Sequence, residues 1–356
     1  MREKKMSKKM VFSGTRATGR LHLGNYLGAV KGYIELQNDP AYDCIYMAVD
    51  LHTITTPYDH QTLAVTTKDI IMDYLAAGID PDKAIITAQS LVPEHSYLFF
   101  LFASAITMAR MQHLPTFKEK VKQHPENVTM ALLNYPVLMA ADILVYRAGL
   151  VPVGIDQEPH LEVAREIARK MNDRYFNGEE FFPEPQRFAT KGEYVPSLAG
   201  AGKMSKSIEG SYINLMDSLE LIQKKVAAIP TDSGKGSIKD LKTRVKGQKE
   251  YTDDSGSKSE GVASLMAMVE LFMGNNKRFK CEKEYSSNGL RYGDLKKSLA
   301  EAIFKELKPI QAKRKELEAK PDYVDQIIHD GAKRARAIAS KNLREVKEKM
   351  GFIVSR

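Results

Sequence analysis

Two cysteines in 356 residues cannot make a disulfide framework, and Cys44 and Cys281 are far apart and match no metal-ligand spacing, so no structural metal is indicated either. Reduced thiols are the simplest reading. The basic start MREKKMSKKM leads into no apolar run of secretory or membrane-spanning length, so a cytoplasmic protein without a membrane partner is expected. Internal repeats and low-complexity segments are absent. So are the dinucleotide-binding fingerprint and the lysine-containing P-loop. What is present is a chain that is 43% hydrophobic, long enough for a full core and for two domains.

The net charge of +8 is unevenly spread. From Glu209 onward there are 30 Lys and Arg against 22 Asp and Glu, whereas residues 1–208 balance at 23 against 23. A near-neutral first part joined to a basic second part suits a protein that holds a polyanion with its second domain. Lysine-rich solvated helix faces would give the same count.

Strand-like and helix-like segments alternate through the first part. Met10-Val11-Phe12 reads as a strand, Ser13 to Gly19 as a glycine-punctuated loop and Gly24 to Gln37 as a helix. Residues 43–49 read as a strand, 61–77 as a helix and 83–88 as a further strand, which predicts a parallel sheet covered by helices. Mostly helical material from 94 to 146 breaks that rhythm, with the run Val128 to Tyr146 interrupted by Pro136. Strand character returns at 151–156, and Leu161, Ala164, Ile167, Ala168 and Met171 then mark one helix face. Beyond residue 210 the pattern is helical near 217–228, 259–273, 293–317 and 322–350, with a Gly-, Ser-, Lys- and Asp-rich loop over 231–258.

Two constellations carry chemistry. Gly14 to Asn25 (GTRATGRLHLGN) joins a strand to a helix, where glycines admit a ligand to the backbone and the helix start offers unpaired N–H groups to phosphate. His22 and Asn25 stand there as donors to a transferring phosphoryl group. The second is Gly202-Lys203-Met204-Ser205-Lys206-Ser207, whose two ammonium groups suit a loop that closes on a pyrophosphate. Alone, a pair of lysines three apart is ordinary surface charge.

Together the two segments resemble the HIGH motif, here His22-Leu-Gly24-Asn25, and the KMSKS loop of class I aminoacyl-tRNA synthetases. Tyr135-Pro-Val-Leu-Met139-Ala-Ala-Asp142-Ile-Leu-Val-Tyr146, Val151-Pro-Val153-Gly154-Ile-Asp156-Gln157, His160-Leu-Glu162 and Thr231-Asp-Ser233 narrow the resemblance to the bacterial type of tryptophanyl-tRNA synthetase. It covers nearly the whole chain. It implies an α/β fold: a Rossmann-like parallel sheet over 10–208 with a helical insertion at about 94–135, then an all-helical anticodon and tRNA-binding domain over 209–356. Residues 1–9 read as a basic tail.

The resemblance also implies a site. Asp142 accepts the indole N–H, and Phe12, Met139, Val151 and Val153 wall the ring. Tyr135 and Gln157 lie near the amino acid's ammonium and carboxylate, with His52 at the pocket edge. Gly154, Ile155 and Asp156 meet the adenosine, Val195 lines the adenine, and Lys120 approaches the ATP phosphates. His22, Asn25, Lys203 and Lys206 are the expected catalytic residues, with Gly24, Met204, Ser205 and Ser207 also meeting ATP. Arg16-Ala17-Thr18 stands where many members read Gln-Pro-Ser, and a guanidinium at 16 binds phosphate more strongly than an amide. ATP with the Mg2+ it carries, L-tryptophan, tRNA(Trp) and a second copy of the chain are the implied partners, and DNA is not. The rivals are a tyrosyl-type synthetase, whose pocket would pair with a phenol O–H, a small-molecule nucleotidylyltransferase, and a synthetase-derived RNA-binding protein without catalysis.

Overall fold

The structure, a computed structural model, describes residues 8–190, 194–200, 202–206, 208, 210–237 and 258–354. Its sheet has five parallel strands: β1 (Lys9–Thr15), β2 (Tyr42–Ala48), β3 (Ala84–Ala88), β4 (Leu150–Pro152) and β5 (Gln186–Phe188), in the order β3-β2-β1-β4-β5. Parallel strands are covered on both faces and therefore read as continuous apolar runs. All of β3 and the last five residues of β2 are buried. The chain winds from β1 out to β2 and β3, then crosses to the far side of β1 for β4. At that reversal the carboxyl ends of β1 and β4 part, and this is where a doubly wound sheet takes its ligand.

Several element boundaries differ from the sequence expectation. β1 begins at Lys9, inside the expected tail, and stays paired with β2 through Thr15, so Ser13-Gly14-Thr15 is strand. β4 ends at Pro152, after which Ile155–Gln157 forms a 3-10 turn into the helix Glu158–Tyr175. Pro136 does not interrupt its helix. Met130–Leu144 runs through it, losing only the one backbone hydrogen bond that a proline cannot donate. β5 and the helix Asn275–Ser286 were not expected. Residues 1–7 of the expected tail and most of the 231–258 loop lie outside the described residues.

The chain forms two compact units that interleave along the sequence. The first comprises Met1–Arg20, Val30–Thr190 and Glu316–Arg356, and holds the whole sheet. Its helix Glu158–Tyr175 buries Leu161, Ala164, Ile167, Ala168 and Met171 completely, and its polar face is laced by Arg165 and Arg169 to Glu158, Glu162 and Glu184. The long helix Pro321–Lys349 returns to pack on β3 through small residues: Ala335 and Ala339 are fully buried, and the Thr87 hydroxyl donates to the Ile328 carbonyl at 2.8 Å.

The second unit comprises Leu21–Ala29 and Lys191–Lys315. Its helices include Leu219–Ala227, Lys258–Met273 and Asn275–Ser286. Leu23 N–H donates to the Ile213 carbonyl and Leu215 N–H to the Leu21 carbonyl, which ties the start of the HIGH-like segment to the stretch after residue 210. Among the described residues, no helix is long and apolar enough to cross a membrane.

Gly331 sits where a Cβ would stand 2.0 Å from the Ile86 carbonyl oxygen of β3. Gly331→Ala gains about 1 kcal/mol of helix propensity but must push helix from strand, which outweighs it; a net loss of about 2 kcal/mol is expected in the denaturant midpoint. Gly293→Ala, with nothing within 4 Å, serves as control. Unchanged stability in Gly331→Ala would contradict this close packing.

Candidate active site

In the first unit, the crevice side of the sheet carries a buried polar cluster centred on Asp142. The helix Met130–Leu144 is apolar nearly all round, and it brings this one carboxylate into the core at 1% exposure. Three donors meet it. Gln89 Nε2 reaches Oδ1 at 2.7 Å, His95 Nδ1 reaches Oδ1 at 2.5 Å and His52 Nε2 reaches Oδ2 at 2.8 Å. Burial works against the charge, but the two histidines prevail and hold the Asp142 carboxyl at about 2. An ionised carboxylate offers about four lone-pair sites and donates nothing, so it has room for one further donor and none for an acceptor. Phe12 and Val151 belong to the same apolar cluster, with Phe12 stacked on Tyr146 at 5.6 Å, and Met139 and Val153 pack against it.

A second polar chain starts at the end of β4. Gln157 Nε2 donates to Asp156 at 2.6 Å, which turns Gln157 Oε1 towards His160 Nδ1 at 2.9 Å. His160 Nε2 lies 2.7 Å from the Tyr135 hydroxyl and 2.8 Å from Thr116 Oγ1. Burial lowers His160 to about 4, so the ring is neutral. It then donates at Nδ1 and accepts at Nε2, and it orients both Tyr135 and Gln157. Ile155, at the start of the turn that carries Gln157, is 59% exposed.

Arg16 follows β1 and donates to Thr56 Oγ1 at 2.7 Å, while the Ala17 N–H donates to Thr53 Oγ1 at 2.9 Å. Arg16 Nε is buried without a hydrogen-bond partner, and burial lowers the guanidinium's pKa against a raising effect from Tyr135. Lys120, on the helix Pro115–Gln123, is lowered by burial first and then by the Arg16 charge. A cation depressed by a second cation's charge suits an anion that would offset both. Thr18 is exposed at the end of this segment.

In the second unit, His22 caps the helix start. Its Nδ1 accepts from the Gly24 and Asn25 N–H groups at 3.0 and 3.3 Å, and Asn25 Oδ1 accepts from the His22 N–H at 3.2 Å. This reciprocal box takes up one heteroatom of each side chain, leaving Nε2–H of His22 and the amide NH2 of Asn25 as the donors. Burial, then Lys206 and Lys203, lower His22 to about 4. The imidazole is therefore neutral near pH 7 and keeps its cap. A Cβ on Gly24 would stand 2.9 Å from the His22 ring and 3.3 Å from Met204 Cβ, so only glycine lets the two motifs meet this closely. Met204 is 3% exposed, and its N–H donates to the carbonyl of the fully buried Val195 at 2.8 Å. Ser211 donates to the Ser205 carbonyl. Ser207 lies outside the described residues.

The expected residues thus form two sets. Phe12, Arg16, Ala17, Thr18, His52, Lys120, Tyr135, Met139, Asp142, Val151, Val153, Gly154, Ile155, Asp156 and Gln157 belong to the first unit, and His22, Gly24, Asn25, Val195 and Lys203 to Lys206 to the second. His52 sits at 8% exposure bonded to Asp142. Reasoning from sequence did not single out Gln89, His95, Thr116 or Tyr146 as site residues, nor His160 beyond its motif. The available signal was Gln89-Ser-Leu-Val-Pro-Glu-His95, a run just after a buried strand in which polar residues at both ends enclose an apolar middle.

The family described as tRNA synthetases class I (W and Y) matches residues 4–308. The tryptophan–tRNA ligase of Porphyromonas gingivalis is 38% identical over 96% of this chain and 99% of its own length, and that of Helicobacter pylori is 39% identical over 98% and 100%. The tryptophanyl-tRNA synthetase of Campylobacter jejuni, solved with ADP and tryptophan, superposes with a TM-score of 0.78 at 29% identity, covering 96% of this chain and all of that one. With its sheet order, its histidine-capped helix start and its buried aspartate, the chain belongs to the class I tRNA synthetases of the tryptophan and tyrosine family, among the tryptophan–tRNA ligases.

Proposed function

We propose that the chain, a tryptophan–tRNA ligase by family, makes tryptophanyl adenylate and then tryptophanyl-tRNA(Trp) with a division of labour between the two sets of residues. One observation carries the amino-acid specificity: Asp142 is buried, ionised and able to take one more donor. The neutral indole N–H satisfies it. A ligand without that donor leaves a buried carboxylate short of a partner, at a cost of about 1–3 kcal/mol or more. Phe12, Met139, Val151 and Val153 enclose the ring, with His52 bonded to the carboxylate beside it. Tyr135 and Gln157, held by His160, meet the ammonium and carboxylate.

In the first step a tryptophan carboxylate oxygen bonds to the α-phosphorus of Mg-ATP as the bond to pyrophosphate breaks. The nucleophile is already ionised at neutral pH, so no general base is needed. Gly154, Ile155, Asp156 and Val195 bind adenosine, and Arg16, Ala17, Thr18, Gly24 and Lys120 approach the phosphates. His22 Nε2–H and Asn25 donate to the transferring group. Lys203 and Lys206 neutralise the leaving pyrophosphate in the loop that Met204, Ser205 and Ser207 complete. Because Nδ1 of His22 is committed to the helix cap, only the neutral ring both caps and donates. In the second step a terminal ribose hydroxyl of tRNA attacks the carbonyl and AMP leaves. The basic residues beyond 209 bind that tRNA through phosphate contacts that weaken with salt. We assign cytoplasmic protein synthesis as the setting.

The protein is proposed to act as a homodimer through the insertion at about 94–135, where Phe100, Met108, Val128 and Met130 are 75%, 60%, 48% and 60% exposed. These exposed apolar side chains are the contacts proposed for that interface. Sedimentation should find a dimer that Phe100→Glu weakens; a monomeric wild type at micromolar concentration would refute this.

Replacing Lys203 and Lys206 together by Ala should slow tryptophan-dependent ATP–pyrophosphate exchange by at least 100-fold while ATP still binds. Exchange within a few-fold of wild type would remove these lysines from the chemistry.

A further inference from the structure

Asp142 is held by side chains that themselves have partners. His95 is wholly buried on the helix Glu94–Ala103, its Nδ1 2.5 Å from Asp142 Oδ1 and its Nε2 2.7 Å from the Tyr146 hydroxyl. A neutral imidazole satisfies both in one way only: Nδ1–H donates to the carboxylate, and Nε2 accepts from the tyrosine O–H. Tyr146 is 2% exposed, and burial keeps its phenol protonated far above neutrality. Its proton at Nε2 and the Asp142 carboxylate at Nδ1 together hold His95 in that one tautomer, which keeps Nδ1–H on Asp142 Oδ1. Gln89 acts in parallel, since Oε1 accepts from the Leu51 N–H at 3.1 Å and so turns Nε2 onto the same Oδ1. Oδ1 has two donors, and Oδ2 has His52 and one remaining site.

We propose that Tyr146 and His95 form a positioning relay which holds Asp142 as an acceptor-only carboxylate and presents one lone pair of Oδ2 to the tryptophan N–H. Selection for that N–H then depends on two residues that do not touch it. The relay rests on the reading of Asp142 given under the proposed function. It differs from a packing role in what it discriminates. Loss of packing weakens every ligand of the same shape alike, whereas loss of the relay weakens only the ligand that uses the carboxylate.

Two substrates of nearly equal shape separate these: tryptophan and its benzothiophene analogue, in which sulfur replaces the ring N–H. The measurement is the ratio of their kcat/KM values in ATP–pyrophosphate exchange. Tyr146→Phe keeps the ring stacked on Phe12 and removes the donor; it should lower the ratio about tenfold, mainly through KM for tryptophan. His95→Leu should lower it at least as far. His95→Asn, whose amide nitrogen falls near the place of Nδ1, should restore it to within about threefold of wild type. If His95→Leu does not fold, Tyr146→Phe and His95→Asn decide the matter. A ratio unchanged in Tyr146→Phe, or both substrates losing activity equally, would overturn the relay while leaving the ligase activity intact. A wild type without tryptophan-dependent exchange would overturn the activity reading and the relay with it.

Discussion

A carboxylate transferred from water into a protein interior costs several kcal/mol unless it is paired and hydrogen-bonded. Asp142 meets that demand at 1% exposure with Gln89, His52 and His95, contributed by three separate segments that converge on the helix Met130–Leu144. Once such a group is ionised in the core, its surroundings are constrained. Its donors must be oriented by further bonds, Tyr146 to His95 and Leu51 to Gln89, and its last lone pair is the one proposed for the ligand. The site is thus specified by its least soluble charge.

The same logic, with opposite sign, governs the HIGH-like segment. A histidine with two lysines in its field and little water around it cannot hold a proton near pH 7, and its value of about 4 keeps Nδ1 open to the helix N–H groups. Burial and charge therefore fix His22 as a neutral donor at Nε2. A charged imidazole would lose the cap. His160 repeats the device in the first unit, where a neutral ring between Tyr135, Thr116 and Gln157 orients the two groups assigned to the amino acid's polar end.

Much of this was legible in the sequence, for physical reasons. The buried runs of β2 and β3 announce a parallel sheet because both faces are covered, and the face Leu161 to Met171 announces its helix by spacing alone. β5 was not legible: Gln186-Arg187-Phe188 is three residues long, mixed in polarity and paired only to β4. The helix Asn275–Ser286 hides because its polar composition gives little amphipathic contrast, and Gly274 at φ 84° divides it from its neighbour. The return of Pro321–Lys349 to β3 depends on small residues such as Gly331 and Ala335, which no periodicity marks as sheet-facing. Within the site, motif residues were legible one by one. Their partners His95 and Gln89 were not, since contacts spanning 47 and 53 positions leave no local trace.

The central claim is that a buried acceptor carboxylate makes this synthetase select tryptophan, and amino-acid-dependent ATP–pyrophosphate exchange without tRNA, tryptophan beside tyrosine, tests it most directly. Exchange supported by tryptophan and not by tyrosine is the predicted result. Comparable exchange with tyrosine would contradict the role given to Asp142, and no exchange with either would contradict the assignment of catalysis itself.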